Sequence, residues 1–285
     1  MEDFLESRGN MQEGVVPPMP IILPGGRQRK GVGSTYAQFD PTIVGAQWYY
    51  NWGRTPPLRQ GCEAVPMLWG KGSIGKEIGG SSPWLMWFNE PDISGQANLS
   101  PQEAADLWNA HVDDYPGVFH LSPAVANIAW LRVWFTMINR KPDAIAIHPY
   151  VNPGMEDPVG HFRSVLAEAS EFANQTVLDR VWITEFAMVS SCPDQIEEYM
   201  PKALAVIKEF PKVTRYAWFQ LSYEGTEPWG FPQYANLSLL DYSTGQATRL
   251  GRLYAFNNRV DVNLDGKVDI LDISAVGANF GREVP

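Results

Sequence analysis

Cysteine is nearly absent, with Cys62 and Cys192 the only two in 285 residues. Their distance along the chain gives no disulfide framework; one bridge stays open, but two free, buried thiols are the expectation. No stretch approaches the roughly 18 uninterrupted apolar residues of a membrane span, so no membrane attachment is expected. Basic residues are scarce beside acidic ones, 22 against 32, and the net charge of -10 argues against a phosphate-rich partner, which clustered Lys and Arg would have to hold. A nucleic-acid ligand is thereby excluded. Several catalytic signatures are missing too. No G-x-G-x-x-G follows the first strand candidate, and no serine-nucleophile motif, H-E-x-x-H or C-x-x-C pair occurs. Residues 1–30 lack an apolar run of signal-peptide length and carry Glu2, Asp3, Glu6 and Glu13 where a basic n-region would lie, so an export signal is absent or was removed.

What the chain has is apolar bulk and aromatic surface. Hydrophobic residues make up 45%, enough for one large core in a single main domain. The 11 Trp, 11 Tyr and 13 Phe exceed what such a core needs, so some rings should line a groove. Residues 1–28, with Pro17, Pro18, Pro20, Pro24 and Gly25-Gly26, read as an extended arm. From residue 29 to 258 short apolar strands alternate with amphipathic stretches. Eight strand candidates run over 31–35, 45–50, 64–69, 83–89, 119–123, 144–150, 180–186 and 215–221. Helices are expected over 100–114, 129–140, 157–174 and 193–210, the first announced by a capping box, Ser100-Pro101-Gln102-Glu103. Eight such units predict an α/β fold of the closed (β/α)8 TIM-barrel type rather than an open doubly wound sheet.

Barrels of this type carry their chemistry at the C-terminal ends of the strands. Glu90 ends the run Trp84-Leu-Met-Trp-Phe-Asn89-Glu90, the fourth strand candidate, and Glu185 ends Val181-Trp-Ile-Thr-Glu185, the seventh. A carboxylate carried by a buried strand needs a partner or a wet cleft. The bland reading of either is a structural salt bridge, and their joint placement on two strand ends argues for a working pair.

Four segments, Trp87-Phe88-Asn89-Glu90-Pro91-Asp92, Ile147-His148-Pro149-Tyr150, Trp182-Ile183-Thr184-Glu185-Phe186 and Tyr216-Ala217-Trp218-Phe219, resemble in order and spacing glycoside hydrolase family 128, endo-β-1,3-glucanases of a large retaining (β/α)8 clan. The resemblance covers roughly residues 30–256. It implies that Glu90 is the acid/base and Glu185 the nucleophile of a double displacement on β-1,3-glucan, with Asn89 on the sugar 2-hydroxyl. It further implies that His148 and Tyr150 line the cleft, Tyr150 reaching towards the nucleophile, and that Trp218 floors a sugar subsite. Asn51, Trp52, Trp69, Trp130, Tyr223 and Trp229 follow strand candidates and are further substrate-binding positions, although each could equally be packing. Catalysis is expected to need no metal or cofactor, and the enzyme is expected to be a monomer working outside the cell. A non-catalytic β-glucan-binding barrel, or a glycosidase for another β-linked glycan, remains the alternative.

Residues 259–285 differ in kind. Asp261-Val-Asn263-Leu-Asp265-Gly266-Lys267-Val-Asp269 has the D-x-N-x-D-G spacing of an EF-hand-like loop, so Asp261, Asn263, Asp265, Lys267 through its carbonyl, Asp269 and Asp272 are candidate Ca2+ ligands. Asp272 stands where the bidentate Glu belongs. The segment resembles one calcium repeat of a dockerin; dockerins carry two, so a cohesin partner would require a second repeat.

Overall fold

The computed structural model describes residues 28–225 and 231–256. Residues 1–27 of the expected arm over 1–28, Trp229 and the candidate calcium loop lie outside the described residues. Nine short strands form one all-parallel sheet: β1 (Arg29–Gly33), β2 (Trp48–Tyr50), β3 (Glu63–Ala64), β4 (Met67–Leu68), β5 (Trp84–Asn89), β6 (Phe119–Val125), β7 (Ala144–Ile147), β8 (Val181–Phe186) and β9 (Val213–Trp218). Their order is β3-β2-β1-β9-β8-β7-β6-β5-β4, so the sheet curls until its two ends are separated only by Val65 and Pro66. Val65 N–H donates to the Tyr49 carbonyl at 2.9 Å, while the Pro66 carbonyl accepts from Met86 N–H at 3.0 Å. The strand expected over 64–69 is thus split at Pro66: the residues before it pair with β2 and those after it with β5, and Met67 N–H, next in line for the β2 ladder, goes instead to the Gly53 carbonyl at 3.0 Å. The result is a TIM-like barrel.

The expected helices all form, as α1 (Pro101–His111), α2 (Ile128–Phe135), α3 (Pro158–Thr176) and α4 (Pro193–Lys208), followed by α5 (Arg249–Phe256). Ser100 and Glu103 make both halves of the capping box. α2 stops short of residue 140, its carbonyls at Val133 and Trp134 capped by Thr136 N–H. Helix and strand do not alternate before β5. There the connections hold only 3-10 turns, Pro41–Val44 and Lys71–Ser73, and Pro and Gly crowd the segment from Gly53 to Gly80 that contains the second. A second departure from expectation concerns the cysteines: both are free, but only Cys62 is buried and Cys192 is exposed, ahead of the first turn of α4.

Strand parity separates two cores. Trp48, Tyr50, Trp84, Met86, Leu121, Trp182 and Ala217 fill the barrel, whereas Tyr49, Leu85, Trp87, Ile183, Tyr216 and Trp218 face the helices. The barrel floor is closed by Arg215, whose guanidinium lies 4.2 Å from the Trp182 ring centroid and pairs with Glu63 at 2.9 Å. Burial pulls Arg215 down to about 10, and the Glu63 carboxyl falls below its ordinary range because Arg215 and Arg29 outweigh its own burial. A buried pair of this kind is costly to break from one side, since the remaining charge loses its compensation.

Trp218 corrects the expectation that it floors a subsite. It is fully buried, meets Phe186 edge-on at 5.1 Å, and donates its indole N–H to the Leu237 carbonyl at 2.9 Å. Trp218→Ala should therefore cost about 3–5 kcal/mol of stability through a core cavity and an orphaned carbonyl, read as a lowered urea midpoint. A variant of wild-type stability that had lost only sugar affinity would return Trp218 to the cleft.

Candidate active site

The ends of β2, β5, β7, β8 and β9 converge at one barrel mouth, and both glutamates reach it through irregular strands. Trp182 points into the barrel and Ile183 out of it, so regular alternation would send Glu185 outwards. Between Ile183 and Phe186, however, β8 advances three residues while β9 advances two, and this bulge turns Glu185 inwards. β5 has a matching irregularity between Trp87 and Asn89, beyond which Glu90 sits at φ 44. That left-handed backbone, costing about 1–3 kcal/mol in a residue with a Cβ, is held by Glu90 N–H on the Ala124 carbonyl at 2.8 Å and Ile93 N–H on the Glu90 carbonyl at 3.0 Å.

The Glu185 carboxylate is buried and accepts three hydrogen bonds, which leaves a lone pair of Oε2 open. Oε1 lies 2.8 Å from the Tyr50 hydroxyl and accepts the Trp52 indole N–H at 2.9 Å; Oε2 accepts the Tyr150 hydroxyl at 2.6 Å. Tyr50 also lies 3.0 Å from the Thr184 carbonyl, but its single proton is bound more strongly by the charged acceptor. Burial, then the neighbouring carboxylate charges, push both phenols well up, so they stay protonated donors. Trp52 can lie across the mouth because residue 33 is glycine: a Cβ there would come within 2.8 Å of its ring.

His148 links the two carboxylates. Its Nδ1 is hydrogen-bonded to Glu90 Oε1 at 2.9 Å and stands 3.6 Å from Glu185 Oε2. Burial works against its charge, but Glu185 and the hydrogen-bonded Glu90 prevail and raise its pKa. Glu185 is raised as well, first by burial and further by the Glu90 charge, against the opposing pull of His148 and the hydrogen bonds from Tyr150 and Trp52. One carboxylate oxygen each of Glu90 and Glu185 and one imidazole nitrogen of His148 fall within 4.8 Å of one another.

The other sequence candidates divide. Trp52 and Tyr150 touch Glu185 directly. Asn89 is buried, donates to Gln96 Oε1 at 3.1 Å, and keeps an Oδ1 without a partner among the described residues. Trp69 packs, half-buried, on the barrel interior, and Asn51 Oδ1 accepts Gly53 N–H at 3.1 Å. Trp130 is half-buried, with its indole N–H towards the Leu99 carbonyl at 3.3 Å. Tyr223 is buried and lies 6.0 Å from the Tyr234 ring. Three contributors were not among the sequence candidates: Tyr50, Phe219 and Tyr234. Tyr50 shares inward parity with Trp48, and Phe219 shares it with Arg215 and Ala217, so period-two counting from the charged Arg215 would have found the latter. Phe219 meets Trp52 at 5.9 Å and Tyr150 at 5.8 Å, taking the place expected for Trp218.

Comparisons with known proteins accord with this geometry. Solved structures with a similar fold include an endo-β-1,3-glucanase of glycoside hydrolase family 128, subgroup I, from Amycolatopsis mediterranei in complex with laminaripentaose, 26% identical, covering 80% of this chain and 99% of its own, with a TM-score of 0.65. A subgroup II endo-β-1,3-glucanase from Sorangium cellulosum is 27% identical, with coverage of 80% and 97% and a TM-score of 0.63. A subgroup III curdlan-specific exo-β-1,3-glucanase from Blastomyces gilchristii, in complex with glucose, is 26% identical, with coverage of 82% and 99% and a TM-score of 0.63. No curated protein sequence matches. The family model of the glycosyl hydrolase catalytic core matches residues 34–254, which contain the whole carboxylate site and most of the chain; the protein belongs to that family and is a glycoside hydrolase.

Proposed function

We propose that the protein is a retaining endo-glycosidase of the family 128 type that hydrolyses β-1,3-glucan. The observation that carries this reading is that an oxygen of Glu90 and an oxygen of Glu185 lie within 4.8 Å of one another at the mouth of the barrel, with His148 bridging them. Retaining enzymes hold their two carboxyls about 5–5.5 Å apart, whereas inverting ones need about 6.5–9.5 Å to admit a water. The bound laminaripentaose and glucose of the relatives support the substrate class. Glycoside hydrolysis of this kind needs no cofactor.

In this mechanism a Glu185 oxygen bonds to the anomeric carbon as Glu90 delivers its proton to the departing glycosidic oxygen. Glu90 then takes a proton from water, whose oxygen displaces Glu185 from the same carbon. Tyr50, Trp52 and Tyr150 hold the nucleophile in place and keep it ionised, and the free Oδ1 of Asn89 offers an acceptor for a sugar hydroxyl. Because its substrate is a polymer, the enzyme would act outside the cell, as a monomer. The tail would hold Ca2+ through Asp261, Asn263, Asp265, Lys267, Asp269 and Asp272, a reading that rests on loop spacing alone.

Glu185→Gln should abolish hydrolysis while oligosaccharide binding persists. Glu90→Gln should keep activity only on glycosides whose leaving group needs no proton. Either variant cleaving polymer at near wild-type rates would refute the assignment, and products from laminarin, curdlan, lichenan and cellulose test linkage and endo action. A second expectation concerns pH. Glu185 must be ionised to attack, and its pKa is raised, so the acidic limb of kcat/KM should lie above the ordinary Glu range. The Tyr150 hydrogen bond lowers that pKa, so Tyr150→Phe should move the limb to still higher pH; a limb that stays or falls would show that Tyr150 does not stabilise the ionised nucleophile. Finally, EDTA, or deletion of Val260 to Pro285, should leave turnover nearly unchanged. A folded but inactive truncation would mean that the tail helps to build the cleft.

A further inference from the structure

Beyond the carboxylate pair, a file of aromatic rings leads from the barrel mouth to the surface. Phe219, which touches Trp52 and Tyr150, meets the Tyr234 ring at 5.3 Å, and Tyr234 in turn meets Phe231 at 5.5 Å. Exposure rises along the file: Phe219 is 7% exposed, Tyr234 is half-buried and Phe231 is 56% exposed. Among the described residues, Phe231 is the one aromatic ring among the strongly exposed large apolar side chains; Ile43, Leu58, Val133 and Val177 are aliphatic. Burial first, then the charges of Glu90 and Glu185, push the Tyr234 phenol up, as expected for a ring facing the same mouth.

The element carrying these rings is fixed. Tyr234 and Phe231 lie on and just before the 3-10 turn Pro232–Leu237, whose first position is set by Pro232. Tyr234 N–H donates to the Phe231 carbonyl at 2.8 Å, and Asn236 Nδ2 donates to the Ser190 carbonyl at 3.3 Å. The far end is tied by the Trp218 indole N–H on the Leu237 carbonyl. Trp218 thus acts on the cleft indirectly, as the core anchor of an aromatic turn.

We infer that Phe231, backed by Tyr234, forms a remote stacking subsite for a β-linked glucosyl unit at least one position removed from the bond being cut. This rests on the β-glucan reading above. A β-glucopyranosyl ring, with its hydroxyls equatorial, presents C–H bonds on both faces, and an exposed flat ring preformed on a rigid turn covers such a face at little ordering cost. The subsite would reward longer substrates, because only a chain extending past the carboxylate pair reaches it.

The test compares wild-type enzyme, Phe231→Ala and Phe231→Trp on laminaritriose through laminarihexaose. For Phe231→Ala, the ratio of kcat/KM on laminarihexaose to that on laminaritriose should fall by about threefold to tenfold, mainly through KM, and Phe231→Trp should restore or increase it. An active Phe231→Ala enzyme with an unaltered length ratio, or with equal losses at every length, would overturn the subsite alone. Wild-type enzyme inert on every length would overturn the β-1,3-glucan reading and the subsite with it.

Discussion

Two carboxylates sit beside one another in a mostly buried pocket, and the rest of the mouth answers to that arrangement. Removing an ion from water costs several kcal/mol even after relaxation, so neither glutamate is tolerable without partners. Glu185 receives three donors from β2, from the loop that follows it and from the loop after β7, while Glu90 receives the imidazole of His148. The partners have requirements of their own. Trp52 needs the empty space above Gly33, Tyr50 must keep the inward parity of β2, and Tyr150 must lie two residues beyond His148 so that one segment serves both carboxylates. The distinction between a sugar-binding groove and a hydrolytic centre rests here, since stacking a glucan requires rings but not two opposed acids.

The scaffold divides stability from chemistry along the barrel axis. At the floor, Arg215 is enclosed by Trp48, Trp84 and Trp182 and neutralised by Glu63, a charge pair far from the mouth. At the opposite end, Trp52 and Glu90 hold positive φ angles without being glycine. Strain of this kind persists only where surrounding structure fixes it, and here the ladder to β6 and the donors on Glu185 do so. Extra residues in β5 and β8, each just before its glutamate, re-aim both side chains in the same way.

Much of this was legible in the chain. The capping box placed α1, apolar runs located most strands, and the two glutamates stood out because each follows a strongly apolar strand. The errors have physical causes. The strand expected over 64–69 became two because Met67 N–H, next in line for the β2 ladder, is taken by the Gly53 carbonyl, and the glycines and prolines between 53 and 80 left the connections from β2 to β5 without α-helices. The resemblance put Trp218 at the floor of a subsite, yet adjacent strand residues face opposite ways, and it is Phe219 that meets Trp52 and Tyr150 at the mouth.

The sequence by itself therefore determined which segments become strands and helices and which carboxylates lie at strand ends, since hydrophobic periodicity and caps are local properties. Tertiary structure alone decided the facing of each side chain: the inward turn of Glu185, the donors Tyr50 and Trp52, and the exchange of Trp218 for Phe219. Parity along a strand is reset by each bulge, and a bulge exists only relative to the neighbouring strand that fails to advance with it.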